Sequence, residues 1–193
     1  MLIQPFGFNA TGQPTGRLLS PGMQFGGGSI GAVFGSYPNQ YGVIVANIEL
    51  GVSVPWGPDG FDYSANGNLF AGTANTAGIL AGDPNAVAAK YCNDYSASMG
   101  GTTYTDWVYP SLEDLQYCKP NNSVLLVPFN ISSGEGGPSQ YWTSTAQATT
   151  SFNLSYFVDF NPLGLDGTGF RCCGSSSPGP GLNFRPVRYF DYR

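Results

Sequence analysis

The sequence predicts an α+β fold, in which helices are grouped in the middle of the chain and antiparallel strands lie on either side. Two observations lead to this prediction. Helical spacing and capping residues mark the segments 74–98 and 111–118. Apolar runs and alternating stretches of strand type occupy 29–50 and most of the chain after residue 120. Elements grouped in this way are typical of an α+β domain, whereas a parallel sheet would require strands and helices in strict alternation.

The composition allows one folded domain with an unusual surface. Of 193 residues, 41% are hydrophobic and 15% are aromatic, which is enough for a sizeable core. Only 10% are charged, against about 25% in typical proteins, so neutral polar residues must cover the surface. We therefore expect lasting contacts with other chains, or polar recognition of sugars. The net charge of −5 and the scattered basic residues disfavour nucleic acid as a partner, and no run approaches the ~18 apolar residues of a membrane span.

The amino-terminal part is predicted to be an extended arm. Residues 1–28 contain three prolines and many glycines, which interrupt any periodicity, and residues 29–193 would form the globular domain. The start has neither the basic region nor the apolar run of a signal peptide. Aromatic side chains are unusual in a solvated tail, so we expect the arm to dock on a partner through Phe6, Phe8 and Phe25.

The first strands and the helices follow from turn and capping residues. Residues 29–50 are predicted to form a hairpin with Tyr-Pro-Asn-Gln in its turn. Asp83 and Pro84 divide the segment 74–98 into two helices, with Asp83 as the N-cap and Pro84 as the first helical residue of the second. Ser111, with Asp114 three residues later, predicts a capping box at the start of a shorter helix.

The last third of the chain combines strands with a long loop. Residues 141–160 alternate as paired strands do, and the segment 161–182 is rich in glycine, serine and proline. A loop of more than about 12–15 residues in a compact domain usually has a function. We therefore expect a display loop that contacts another subunit or a receptor, with the candidate residues Asp166, Arg171, Cys172 and Cys173.

Residue types exclude several kinds of chemistry. The chain has no histidine, which excludes Ser-His-Asp and Cys-His catalysis and makes a zinc site improbable. The segment 58–68 carries oxygen ligands without the spacing of a calcium loop. Four cysteines allow three pairings. Free or structural thiols are the favoured interpretation, and a Cys92–Cys118 disulfide stays open if their two helices pack together. No catalytic residue, metal or cofactor is predicted.

A second group of residues is predicted to be scaffold. Two tryptophans are expected in the core with their N–H groups satisfied. An arginine near the core normally needs a carboxylate, and Asp106 is a plausible partner for the arginines that flank Pro186. Pro186 indicates an edge strand or a bulge. The scaffold residues are Asp106, Trp107, Tyr141, Trp142, Arg185 and Arg188.

Six segments occur in an order that resembles a known family. They are YGVIVANIELGVSVPWG, GTANTAGILAG, YTDWVYPSLEDLQ, YWTST, YFVDF and FRPVRYF, spread between about Gly27 and Phe190. This order is similar to the Lcl C-terminal-type domain, the globular end of a bacterial collagen-like adhesin that is also found in phage-encoded proteins. The resemblance implies a compact C-type-lectin-like α+β domain used for adhesion and display, often as a trimer. The chain departs from the family in lacking a collagen-like stalk and in the length of its loop 161–182.

These observations lead to two hypotheses on function. The first is a non-enzymatic structural protein of a bacteriophage virion, such as a head decoration protein, head fibre or tail appendage. It would be anchored to other virion proteins by its arm and would project a lectin-like domain, with host attachment as one expected use. It would form a homo-oligomer, for which a trimer is favoured. The alternative is a bacterial surface adhesin that binds glycans. The four Asn-x-Ser/Thr sequons are interpreted as incidental products of an asparagine-rich composition.

Overall fold

A computed structural model of the chain describes residues 18–54, 56, 68–132, 139–148, 153–161, 168–172 and 182–192. Within these residues the chain mixes helices with mainly antiparallel strands, in agreement with the predicted α+β class. The helices are α1 Gly72–Gly82, α2 Val87–Asp94 and α3 Leu112–Cys118, and a 3₁₀ helix follows at Lys119–Val124. The strands are β1 Gln24–Phe25, β2 Gly28–Phe34, β3 Tyr41–Ala46, β4 Leu50–Val54, β5 Ala97–Met99, β6 Thr102–Tyr104, β7 Gln140–Ala148, β8 Asn153–Asp159, β9 Thr168–Cys172, β10 Leu182–Phe184 and β11 Val187–Asp191.

The first sheet is antiparallel throughout and has the order β1-β2-β3-β11. The β2–β3 pair is the hairpin that was predicted for residues 29–50, with Phe34 opposite Tyr41 at the turn. The last strand, β11, pairs with β3 from Val187 opposite Val45 to Asp191 opposite Tyr41. The sheet therefore joins the beginning of the described chain to its end.

The second sheet has the order β4-β10-β7-β8-β9. Strands β7 and β8 pair antiparallel, which confirms the paired strands predicted for residues 141–160. Strand β10 lies between β4 and β7 and runs parallel to β7. Pro186 lies between β10 and β11, where the chain leaves the second sheet for the first. A proline is tolerated at this point because it removes no N–H from a strand ladder.

Strands β3 and β7, which lie inside the two sheets, contribute buried side chains to cores on both of their faces. Successive residues of β3 point to opposite sides, so that Val43 and Val45 belong to a core between the sheets while Ile44 belongs to a core on the outer side of the first sheet. In β7, Tyr141 lies in the core between the sheets and Trp142 in a third core beneath α1 and α2. The continuous apolar run of β3 follows from its burial on two faces.

The helices agree with the sequence prediction at α3 and differ from it at α2. Ser111 accepts a hydrogen bond from the Asp114 N–H and the Asp114 carboxylate accepts one from the Ser111 N–H, so the predicted capping box is confirmed. Asp83 is not the N-cap of α2, because its carboxylate accepts from the Asn85 N–H at 2.9 Å in a tight local turn. The N-cap is Ala86, and α2 begins one turn later than predicted.

The predicted boundary of the arm and the predicted long loop both need correction. Residues 18–28 are part of the fold, and Phe25 is buried against Phe190 with ring centroids 5.7 Å apart. Phe25 therefore serves this domain's own core and is not a docking residue. The segment 161–182 is not one loop, since it contains β9, which pairs along β8. Phe6, Phe8, Asp166 and Cys173 lie outside the described residues.

The described helices are short, and none has the length and hydropathy of a membrane span. Cys92 and Cys118 are buried free thiols that lie in two different cores, so the Cys92–Cys118 disulfide does not form in this structure. Burial raises the pKa of both thiols. A thiol with a raised pKa is a poor nucleophile, which fits a structural role for both side chains.

Candidate interaction groove

An open groove lies where the 3₁₀ helix and the segment after it meet the end of β8. Its cavity volume is about 620 Å³, which is within the range of about 300–1,000 Å³ for ligand sites. Proline and large apolar side chains form most of its wall, and among the described residues Lys119 is its one cationic side chain. The lining residues are Gln116, Lys119, Pro120, Asn122, Ser123, Pro128, Phe129, Ile131 and Phe160.

A side-chain clamp fixes the shape of the groove. The Asn122 amide nitrogen donates to the Phe129 carbonyl oxygen at 3.0 Å, and the Phe129 N–H donates to Asn122 Oδ1 at 2.6 Å. Both bonds close the loop between the 3₁₀ helix and Phe129. Asn122 is the middle residue of the sequon Asn121-Asn122-Ser123, and its side chain is engaged in holding this loop.

Two stacked rings, Phe129 and Phe160, form the floor of the groove, and Tyr141 and Arg185 pack against Phe129. The Phe129 and Phe160 rings stack with centroids 4.0 Å apart, and the Tyr141 ring meets Phe129 edge-on at 4.8 Å. The guanidinium carbon of Arg185 lies 4.6 Å from the Phe129 ring centroid. A cation above an aromatic ring is stabilising when both are removed from water.

Arg185 is the group that ties the floor to both sheets. Its side chain is 0% exposed. Nε donates to the Ala46 carbonyl oxygen at the end of β3 at 2.7 Å, and Nη2 donates to the Val127 carbonyl oxygen at 2.5 Å. Among the described residues, Nη1 has no hydrogen-bond partner. Burial lowers the pKa of Arg185 to about 10, so the side chain remains charged at neutral pH.

Asp106, which was predicted to pair with one of the two arginines, pairs with Arg188. Asp106 accepts from Arg188 Nε at 2.7 Å and from Nη2 at 2.8 Å in a two-pronged ion pair, and its own side chain is 59% exposed. Arg188 also lies 4.5 Å from the Tyr104 ring centroid. Arg185 makes no ion pair within the described part of the chain and relies on backbone carbonyls instead.

Charge at the groove comes from Lys119 and from the end of β8. Burial acts to raise the pKa of the Asp159 carboxyl, but hydrogen bonds from the Asn161 N–H and the Gln140 side chain outweigh it and the charge of Lys119 adds to them, so this pKa is lowered. Asp159 is therefore ionised at neutral pH. Lys119 stands on the groove wall and balances part of this negative charge.

Large apolar side chains remain exposed beside the groove. Val124, Leu126 and Ile131 each expose about half or more of their surface, and Ile131 lines the groove itself. Exposed apolar residues scattered singly are normal, but three within eight residues, in a segment of which Ser123, Pro128 and Ile131 line the groove, are typical of an interaction surface. We call the groove together with these three side chains the groove surface.

Asp114 builds a second polar network, which holds the start of α1. Its carboxylate accepts from the Phe70 N–H at 2.9 Å, from the Ser111 N–H at 2.8 Å and from the Tyr189 hydroxyl at 2.5 Å. Phe70 has a φ of +65°, a left-handed conformation that is costly for a bulky side chain and needs such support. Burial raises the pKa of Asp114 despite these bonds.

The groups with perturbed pKa values are thus engaged in holding the fold. Asp114 and Arg185 are bound to the backbone, and the Tyr141 hydroxyl donates to Glu49 while accepting from the Asn130 N–H at 2.9 Å. Across the described ranges, no group of three or more acidic, cysteine or histidine side chains is placed to hold a metal ion. What this part of the molecule offers is a surface for contact.

The structure describes the surroundings of some of the predicted site residues and leaves others outside its described part. Trp107 and Trp142 are buried as expected, and the Trp107 indole N–H donates to the Tyr104 carbonyl oxygen at 3.1 Å. Arg171 and Cys172 belong to β9, whose side chains are outside the described part of the structure. The sequence analysis missed Phe129, Phe160 and Ile131, and also the buried Trp56, whose indole N–H donates to the Thr143 carbonyl oxygen.

The Asn122→Asp variant tests the clamp. The carboxylate keeps the acceptor for the Phe129 N–H but sets an oxygen against the Phe129 carbonyl, so we expect the free energy of unfolding to fall by about 1–3 kcal/mol. Equilibrium unfolding in urea measures this loss. The same substitution at the exposed Asn39 is the matched control, and equal losses at both positions would contradict a specific clamp.

We compared the chain with protein-family models, with curated proteins and with solved structures, and no match was found in any of the three.

Proposed function

We propose that this chain is a non-enzymatic structural and display protein of a bacteriophage virion. It is held on a neighbouring subunit by residues 1–17, which precede the described fold, and it projects its α+β domain outward. The observation that carries the proposal is the groove surface, in which Val124, Leu126 and Ile131 stand exposed beside an apolar cavity. A surface of this kind favours contact with protein over contact with water.

Two further observations support a structural role. The buried ionisable groups Asp114 and Arg185 are bound to backbone atoms of distant segments, which makes a rigid scaffold rather than a reactive site. Only 10% of the residues are charged, which suits a protein surrounded by permanent neighbours. Homo-oligomer formation, with a trimer favoured, and a C-type-lectin-like domain remain part of the proposal.

Fractionation of producing cells tests this function. Particles and cell envelopes are separated on a density gradient and the chain is quantified in each fraction by mass spectrometry. We expect it at many copies in intact particles, and we expect deletion of residues 1–17 to remove it from them. The matched control is Tyr91→Ala, which changes an exposed ring on α2 and should leave incorporation intact. Recovery in the envelope fraction would overturn the proposal and favour a glycan-binding adhesin.

A further inference from the structure

We propose that a cluster of aromatic side chains at the turn end of the β2–β3 hairpin is a binding site for a neutral sugar ring. The cluster consists of Phe34, Tyr41, Phe70 and Tyr117, which come from β2, β3, the segment before α1, and α3. We call these four side chains the aromatic cluster. It shares no residue with the groove surface, and binding of a sugar here goes beyond the proposed function because it requires neither a neighbouring subunit nor residues 1–17.

The rings of the aromatic cluster pack on one another and are partly open to water. Phe34 and Tyr41 stack with ring centroids 5.5 Å apart, and Phe70 meets Phe34 edge-on at 6.1 Å. Tyr117 meets Phe34 edge-on at 5.0 Å and is 47% exposed, and the other three side chains are partly exposed. The face of an aromatic ring carries negative charge density, and a pyranose presents several weakly positive C–H groups on one face. Partly exposed rings therefore offer a platform on which a sugar ring stacks.

Glu113 supplies the polar side of the site. It lies four residues before Tyr117 on α3, so the two side chains are neighbours on the helix surface. Its Oε2 accepts from the Leu69 N–H at 2.9 Å, and the side chain is partly exposed. A carboxylate has about four acceptor positions, so Glu113 can also accept from sugar hydroxyls. Hydrogen bonds to an ionised acceptor are about twice as strong as neutral ones, so this one group can orient the ligand.

The residue types at the site favour a neutral sugar over an apolar peptide or an anionic glycan. Ligand sites are typically lined by aromatic side chains with a few placed polar groups, which is the combination that Tyr117 and Glu113 form. The exposed aliphatic side chains Val124, Leu126 and Ile131 belong to the groove surface instead. The carboxylate of Glu113 would repel the sulfate or carboxylate groups of an anionic glycan, so the ligand that fits is neutral.

The aromatic cluster is fixed in place before a ligand binds. Glu113 and Asp114, next to each other in the first turn of α3, accept from the successive N–H groups of Leu69 and Phe70, each at 2.9 Å. Tyr189 supports the Phe70 ring from the other side, with centroids 5.0 Å apart. The left-handed φ of +65° at Phe70 is costly, and backbone strain of this kind is concentrated at ligand sites. Because the rings are already ordered, a weakly binding sugar loses little free energy to the ordering of side chains.

A glycan array tests the class of ligand. The full chain is applied to neutral oligosaccharides built from glucose, galactose, mannose, rhamnose and the N-acetylated amino sugars, next to sulfated and sialylated glycans. We expect binding to at least one neutral oligosaccharide, and we expect saturation-transfer NMR on that complex to mark the C–H protons of one face of a sugar ring. Binding to the sulfated or sialylated glycans alone, or to no glycan, would overturn the proposal.

Two exposed tyrosines on helices provide a variant and its matched control. Tyr117 is 47% exposed and Tyr91 is 58% exposed, so alanine at either position should leave the fold intact. We expect Tyr117→Ala to raise the dissociation constant of the bound oligosaccharide by about tenfold or more, as loss of an aromatic anchor does. Tyr91→Ala should change it by less than about twofold, and Tyr117→Phe, which keeps the ring, by less than about threefold. Equal losses for the two alanine variants in titration calorimetry would overturn the proposal.

The Glu113→Gln variant tests the polar side of the site. Its amide oxygen can still accept from the Leu69 N–H, while the charge is removed. We expect the dissociation constant of the neutral oligosaccharide to rise by about threefold or more, because the remaining hydrogen bonds are between neutral groups. An unchanged dissociation constant would contradict the role of Glu113.

The same proteins separate the sugar site from a protein contact and from the proposed function. If Tyr117→Ala leaves glycan binding unchanged and instead lowers the sedimentation coefficient, the aromatic cluster is a contact between copies and the sugar assignment is wrong. If the chain is absent from intact particles while Tyr117→Ala loses glycan binding, the sugar site stands and the virion function is wrong. If the chain is present in particles and binds no glycan, only the sugar site is wrong.

Discussion

Replacement of Arg185 by alanine is expected to lower the free energy of unfolding by about 3–5 kcal/mol, as loss of one partner of a buried polar cluster does. The variant removes the donor to the buried carbonyl oxygen of Ala46 and to the half-buried one of Val127, and it removes the support beneath the Phe129 ring. The floor of the groove should loosen together with the junction of the two sheets. Urea unfolding followed by the fluorescence of the three buried tryptophans measures the loss.

The neighbouring arginine supplies the control. Arg188 is paired with an exposed carboxylate, so Arg188→Ala should cost only about 1–2 kcal/mol. Arg185→Met keeps the apolar length of the side chain without its donors, and it separates packing from hydrogen bonding. If Arg185→Met were as stable as the wild type, the bonds to the two carbonyls would not matter. Equal losses for Arg185→Ala and Arg188→Ala would contradict the central role of the buried guanidinium.

Replacement of Asp114 by alanine is expected to lower the free energy of unfolding by about 3–4 kcal/mol, because several buried donors lose their acceptor at once. This is the second large effect. The N–H groups of Phe70 and Ser111 and the hydroxyl of Tyr189 all depend on this carboxylate. Phe70 should leave its left-handed conformation, and the start of α1 should fray. Hydrogen exchange of residues 68–82 measures this local opening separately from global stability.

The contribution of Asp114 to the free energy of unfolding changes with pH in a defined direction. Because burial raises the pKa of Asp114 above its unfolded value of about 3.9, the folded state holds the proton more tightly than the unfolded state does. The stability from this group is fully present below about pH 3.9 and is lost as the pH rises through the folded-state pKa. Relative to Asp114→Asn, the wild type should therefore lose stability from pH 3 to pH 7.

Asp159 is the control for this pH series, since its pKa is lowered and its contribution is lost as the pH falls. Relative to Asp159→Asn, the wild type should gain stability over the same interval. Urea unfolding of the three proteins at each pH measures both differences. If the stability differences changed with pH in the same direction for both comparisons, the pKa values of the two carboxyl groups would not be shifted in opposite directions.

Elements that depend on residues close in sequence were predicted correctly from turn, strand and capping patterns. The hairpin of β2 and β3, the β7–β8 pair and the capping box at Ser111 each depend on residues close in sequence, and each is present. Asp83 shows the limit of such rules, because a carboxylate before Pro84 serves equally well as an N-cap and as the acceptor of a turn. The turn with Asn85 forms, and the helix starts later.

Contacts between distant segments could not be predicted in this way. The sequence offered two arginines for one carboxylate, and the choice of Arg188 follows from the first sheet, which brings β11 beside the segment that holds Asp106. Strand β9 was hidden because its glycine and cysteine content is typical of a loop, while its pairing with β8 is decided by the register of the sheet. The groove was missed for the same reason, since Phe129 and Phe160 are joined only by the fold.

The position of residues 182–191 has a consequence for synthesis of the chain. Strand β10 joins β4 to β7 inside the second sheet, and β11 covers β3 at the edge of the first. Neither sheet is complete until these residues have left the ribosome, because each needs a strand from this stretch. Before that point β1-β2-β3 and β7-β8-β9 can pair, but the edges of β3, β4 and β7 that β10 and β11 will cover stay unpaired and open to chaperones.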